Sequence, residues 1–140
     1  MQFGTADIPS NVQKIDFTVR NAGVGPARLR WATLYYKGEP FATARAALAA
    51  CCGARGRLPK ITQYLQERVL TANETVDFLN LTKTPQDAAV WAKLDIERQR
   101  FYLRGCYCSV LNDCWLLDSR QDQPVPVRDC PPPETPLYDG

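Results

Sequence analysis

The stretch Val12-Gln13-Lys14-Ile15-Asp16-Phe17-Thr18-Val19-Arg20, followed by Asn21-Ala22-Gly23-Val24-Gly25-Pro26, decides the fold class. Ile15, Phe17 and Val19 point one way; Lys14, Asp16, Thr18 and Arg20 point the other. A period of two with one apolar face predicts a half-buried strand over residues 12–19. The run from Asn21 to Pro26 then predicts a turn, with Asn and Gly supplying positive φ and Pro fixing the entry to the next segment.

Working outward, Ala27 to Tyr36 reads as the next strand. Leu29, Trp31 and Tyr35 are expected on one face, Leu34 and Tyr36 on the other. Lys37 to Pro40 turns the chain. Thr43 to Cys52 is alanine-rich and predicts a short helix, with Thr43 as N-cap and Gly53 just past its end. Residues 53–59 form a basic loop. Ile61 to Leu70 and Thr75 to Leu81 are read as a hairpin around Thr71-Ala72-Asn73-Glu74. Thr84 and Pro85 open a second helix through Glu97. Arg100 to Val110 and Cys114 to Ser119 form a last hairpin. Residues 1–11 are polar and read as an N-terminal arm. Residues 120–140 carry six prolines and read as an extended tail, since proline is barred from helices and central strands.

About six strands with turns between them and two short helices predict a mainly β fold, an immunoglobulin-like β-sandwich over residues 12–119. Trp31 falls where such a domain keeps its core tryptophan. A chain of 140 residues is one domain's worth and long enough to own a core.

Composition removes several functions. The chain has no histidine, which excludes Ser-His-Asp and Cys-His catalysis and imidazole-ligated metals. No GxxxxGK or GxGxxG occurs, so no phosphate loop is expected. The carboxylates show no paired spacing that would single out an acid and a base. No stretch approaches 18 consecutive apolar residues, so no spanning helix is predicted. The net charge of +2 is too small for nucleic-acid binding. Its distribution is uneven. Residues 20–66 hold eight bases and one acid, net +7, and the rest hold nine bases and fourteen acids, net −5. Arg28, Arg30, Arg55, Arg57 and Lys60, with outward-facing Tyr36 and Tyr102, are therefore candidates for an interaction surface. That surface could meet a protein partner or an anionic membrane. Asn73-Glu-Thr and Asn80-Leu-Thr match the N-glycosylation pattern, a pattern common by chance.

Six cysteines, Cys51, Cys52, Cys106, Cys108, Cys114 and Cys130, suit a disulfide framework and hence an oxidising compartment. Cys106 and Cys108 share a strand face. A three-residue loop of Val110, Leu111 and Asn112 would set Cys108 opposite Cys114, within disulfide reach. A two-residue turn would bring Trp115 there instead. Cys51 and Cys52 are expected to reach elsewhere, with Cys106 and Cys130 as the remaining partners, because bonding adjacent residues distorts the peptide between them. A bridge to Cys130 would pin the tail. The competing chemistry is a thiol redox or metal site of Cys106, Cys108 and Cys114. Against it stand the missing Cys-x-x-Cys and the unusual spacing for zinc.

Phe17-Thr-Val-Arg-Asn-Ala-Gly-Val-Gly-Pro-Ala27 resembles a segment of immunoglobulin-like extracytoplasmic domains of bacterial proteins. Arg68-Val-Leu-Thr-Ala-Asn-Glu-Thr-Val76 resembles a later strand–turn–strand of the same domains. Cys106-Tyr-Cys-Ser-Val-Leu-Asn-Asp-Cys-Trp115 is similar to the last hairpin of a group of uncharacterised, membrane-anchored bacterial proteins. The resemblance implies a periplasmic or cell-surface domain tethered by a membrane segment upstream of Met1. It implies no catalytic residue and no cofactor. The expected role is a non-catalytic interaction or structural module.

Overall fold

Ile15, Phe17 and Val19 are each 0% exposed, and they anchor strand β2 (Lys14–Arg20) on a single core. The computed structural model describes residues 1–8, 13–56 and 60–140, so the predicted strand start at Val12 lies outside the described residues. Ahead of β2 lies β1 (Gln2–Ile8). After it come β3 (Ala27–Tyr36), β4 (Glu39–Phe41), α1 (Ala44–Cys52), β5 (Lys60–Thr62), β6 (Arg68–Leu70) and β7 (Thr75–Thr82). Then follow α2 (Ala88–Glu97), β8 (Phe101–Ser109), β9 (Cys114–Asp118) and β10 (Val125–Val127). The strands form two antiparallel sheets. One runs β1-β2-β7-β5; the other runs β10-β9-β8-β3-β4, with β6 also on β3. Residues 2–8, expected as an arm, form an edge strand in register with all of β2, and Phe3 packs on the core.

Side chains from both sheets meet in one core. Phe17 of β2 lies edge-on to Phe101 of β8, ring centroids 5.2 Å apart, and Phe78 of β7 contributes beside them. Burying each such side chain contributes roughly 1.5–3 kcal/mol. Helix α1 follows its sequence signals. Thr43 Oγ1 accepts from the Ala46 amide, and Gly53 closes the helix at φ 65°. Helix α2 starts later than expected. Thr84 hydrogen-bonds Asp87 through both its side chain and its carbonyl, making a turn that delays the first helical residue to Ala88.

Three expectations need correction. Residues 61–70 are not one strand: β5 and β6 lie in different sheets, and the Thr71–Glu74 turn carries the chain from one sheet to the other. Leu29 and Trp31 are not on one face. The register shifts between them at Arg30, a β-bulge, so Leu29 enters the core while Trp31 turns to the opposite face. Asn21 and Gly23 do not carry positive φ; the side chain of Asn21 does the work instead. Its Oδ1 accepts from the Gly23 amide, and its Nδ2 donates to the carbonyls of Gly25, Leu70 and Thr71.

Beside the bulge, Gly105 of β8 lies so close to β3 that an added Cβ would sit 2.6 Å from the Trp31 carbonyl oxygen. Gly105→Ala is expected to lower stability by about 1–3 kcal/mol, because two central strands must separate. A urea titration checks this through the transition midpoint.

Candidate functional site, the sulfur cluster beneath the C-terminal tail

The side chains of the six-stranded sheet alternate between the shared core and a second, outer face. Ala32, Leu34 and Tyr36 of β3 join the core, whereas Trp31, Thr33 and Tyr35 meet the tail. The tail is ordered along this face. Trp31 Nε1 donates to the Pro131 carbonyl (3.1 Å), and Thr33 Oγ1 donates to the Glu134 carbonyl (2.6 Å). The Glu134 carboxylate accepts from the Tyr35 hydroxyl and pairs with Arg104 at 3.0 Å. Trp31 is thus buried by the tail rather than in the position of an inter-sheet tryptophan.

Beyond Glu134 the tail rounds the edge of β3. β6 pairs residues 27–29 there and β4 pairs residues 34–36, leaving the middle of that edge open. The Tyr138 amide donates to the Ala32 carbonyl in this gap (3.0 Å). Its ring is 0% exposed and packs edge-on against Phe78, and its hydroxyl donates to the Phe78 carbonyl (3.0 Å). The Asp139 amide, finally, donates to the Ala42 carbonyl. Neither Glu134 nor Tyr138 was singled out in the sequence. The one visible signal was Leu137-Tyr138, an apolar pair ending a proline-rich stretch.

The sulfurs gather under the start of this tail. Cys108 and Cys114 are cross-strand partners at disulfide distance, Cα atoms 4.0 Å apart. The three-residue loop sets this register: the Ser109 amide donates to the Asp113 carbonyl, and Asn112 takes φ 62°. Cys106 lies at disulfide distance from Cys130, Cα atoms 5.8 Å apart, and this pair fastens the tail to β8. Cys106, Cys108 and Cys114 are buried, whereas Cys130 is half-buried. The Cys108 and Cys130 sulfurs are 3.6 Å apart although each belongs to a different pair. With Cys114 they lie within 4.8 Å of one another. Cys51 and Cys52 depart from expectation. They lie at disulfide distance from each other, Cα atoms 3.7 Å apart, in the last turn of α1, and the other four cysteines are committed among themselves.

The candidate interaction residues lie on several elements of the fold. Arg28 and Arg30 are exposed on β3, and Arg30 pairs with Glu67 at 3.3 Å. Arg55 is exposed beyond α1, and Lys60 is half-buried on β5 in the other sheet. Arg57 lies outside the described residues. Tyr36 is only 7% exposed and donates to Glu97 (3.0 Å), so it belongs to the core and not to the surface. Tyr102 stacks on Tyr35 with centroids 4.8 Å apart, and the Arg120 guanidinium covers it at 3.9 Å. Of the two sequons, Asn73 is exposed while Asn80 is buried and donates to Asp77.

Several tyrosines hold their protons unusually tightly. Burial, and then the Glu134 carboxylate, push Tyr35 up to about 12. Burial pushes Tyr107 and Tyr138 upward as well. A phenol with a raised folded pKa adds stability that is complete below its unfolded value of about 10 and is lost as pH rises through the folded value. The melting temperature is therefore expected to fall above about pH 10, with the phenolate absorbance rising together with unfolding. Tyr35→Phe should make that fall shallower in melts recorded from pH 8 to pH 12.

No family model matches this chain, and no curated protein and no solved structure matches it either.

Proposed function

We propose that this chain is a non-catalytic interaction or structural module that works in an oxidising compartment, the periplasm or the cell surface, as part of a membrane-anchored or exported bacterial protein. Two antiparallel sheets around one core support an immunoglobulin-like sandwich as its architecture. The observation that carries the reading is the Cys106–Cys130 pair, which ties a proline-rich tail to the central strand β8. Disulfides persist where thiols are not continually reduced, and closing a loop of this length contributes about 3–4 kcal/mol on the chain-entropy account. A protein partner, or an anionic membrane surface met by the basic residues of 20–66, is the kind of contact such a module would make.

Thiol labelling of native protein, denatured without reductant, tests the reading. Six unreactive cysteines are expected. Four or more reactive ones would overturn it.

A second reading, thiol redox or metal chemistry, draws on the proximity of three sulfurs. It shifts the candidate set from Cys106, Cys108 and Cys114 to Cys108, Cys114 and Cys130. Stoichiometric zinc or copper in protein purified without chelator would favour it.

A further inference from the structure

Two features of the sulfur cluster are not used by a purely structural brace. Cys130 is the one residue of its group of four that is not fully buried, and its sulfur lies 3.6 Å from that of Cys108. Cys106, to which it is paired, and Cys108, 3.6 Å away, sit two apart on one face of β8, and Cys114 lies within 4.8 Å of both Cys108 and Cys130. We infer that Cys130 is a thiol–disulfide exchange site, open to a dithiol oxidoreductase from solvent, and that Cys108 is its second, internal partner. The inference rests on the paired state proposed above.

The chemistry balances in two stages. A thiolate of the external dithiol attacks Cys130 Sγ, the Cys106–Cys130 bond breaks, and its electron pair leaves on Cys106, which takes up a proton. The second thiol of the dithiol then attacks the mixed disulfide, forming the external disulfide and releasing Cys130 as thiolate. The external dithiol is oxidised by two electrons, and the Cys106–Cys130 pair is reduced by two. The following step moves no net electrons. The Cys130 thiolate bonds to Cys108 Sγ, the Cys108–Cys114 bond breaks, and the electron pair leaves on Cys114, which is then protonated. The product holds Cys108–Cys130, with Cys106 and Cys114 as thiols.

Exchange of this kind needs a thiolate within contact distance of a disulfide sulfur, and the cluster provides that separation before any rearrangement. Its consequence is mechanical. Cys106 and Cys108 both belong to β8, so the tail stays fastened to the same strand after one round of reduction. The hydrogen bonds of Trp31, Thr33 and Tyr35 to residues 131–134 hold Cys130 in place during the transfer.

The test begins with a disulfide map of the wild-type chain, which must join Cys106 to Cys130 and Cys108 to Cys114. If it does not, the paired state itself fails. With that map in hand, Cys106→Ser is prepared under oxidising conditions, quenched in acid, labelled and digested. The labelled thiol is expected to shift from Cys130 to Cys114 in a substantial fraction of molecules. Label on Cys130 alone, with Cys108–Cys114 intact, would overturn the inference while leaving the paired state standing. A second measurement covers failure of the variant to fold. Wild-type protein is treated with one equivalent of dithiothreitol and quenched. Label on Cys106 and Cys114 supports exchange. Label on Cys106 and Cys130 alone, or on Cys108 and Cys114 alone, refutes it.

Discussion

Asn21→Ala is expected to lower stability by about 3–4 kcal/mol, a large loss for one uncharged side chain. Asn21 is 3% exposed and joins two turns that are distant in sequence. Its amide donates to Gly25 in its own turn and to Leu70 and Thr71 in the other. Two backbone bonds complete the join: the Asn21 amide to the Glu74 carbonyl (2.9 Å) and the Asn73 amide to the Asn21 carbonyl (2.8 Å). Truncation would remove four side-chain hydrogen bonds at once: the one to the Leu70 carbonyl is buried, where an unpaired polar group costs about 1–3 kcal/mol, and the part-buried ones to Gly23, Gly25 and Thr71 contribute about 0.5–1.5 kcal/mol each at most. Asn21→Asp should be no better, since a carboxylate would face three carbonyl oxygens. Asn73→Gly is the control. Asn73 sits at φ 66°, which glycine adopts freely, so its stability should stay within about 0.5 kcal/mol of wild type. Chemical denaturation of the three variants decides the matter.

Tyr138→Ala is the second large effect, about 3–5 kcal/mol and a fall in Tm of about 10–15 °C. The residue is third from the end of a segment whose sequence reads as an extended tail, yet its ring is fully buried. Removing its ring opens a cavity beside Phe78 and takes away the packing that holds the Tyr138 amide on the open stretch of the β3 edge. Tyr138→Phe keeps the volume and removes one hydrogen bond to the Phe78 carbonyl, which still accepts from the Gln63 amide (3.0 Å), so its cost should be about 0.5–1.5 kcal/mol. The ratio of the two losses separates packing from hydrogen bonding. Equal stability of Tyr138→Ala and wild type would mean that the tail is not part of the folded unit.

These two residues also mark where the sequence was legible. Strand β2, the 108–114 register and the caps of α1 follow from local rules: a period of two, a loop length, a threonine and a glycine at the helix ends. Asn21 was visible as a turn residue, but its role depends on a second turn some fifty residues away, and spacing cannot report that. The bulge at Arg30 was hidden for a related reason. A run such as Arg28-Leu29-Arg30-Trp31 alternates perfectly well, and only the partner strand shows that the register slips. Tyr138 was hidden because prolines dominate the composition around it, while its burial comes from a vacancy in a distant sheet edge. The β6–β7 turn was misread because a hairpin and a crossing between sheets use the same residues.

The site was legible to a similar depth. Six cysteines announced the chemistry, and the loop of Val110, Leu111 and Asn112 announced one pair. The vicinal pair ran against expectation, because the argument from peptide distortion took no account of where the other four sulfurs lie. Glu134, which ties Thr33, Tyr35 and Arg104 to the tail, carried no local signal at all.

Peptide mapping of the native, unreduced chain tests the central claim most directly. Cleavage after Tyr107 and before Asp113 separates Cys106, Cys108 and Cys114 from one another. The account predicts a Cys106 peptide joined to the Cys130 peptide, a Cys108 peptide joined to the Cys114 peptide, and a Cys51–Cys52 peptide lighter by two hydrogens than its reduced form. Recovery of the Cys106 and Cys130 peptides as free thiols, or of the intact cluster carrying a metal ion, would contradict it.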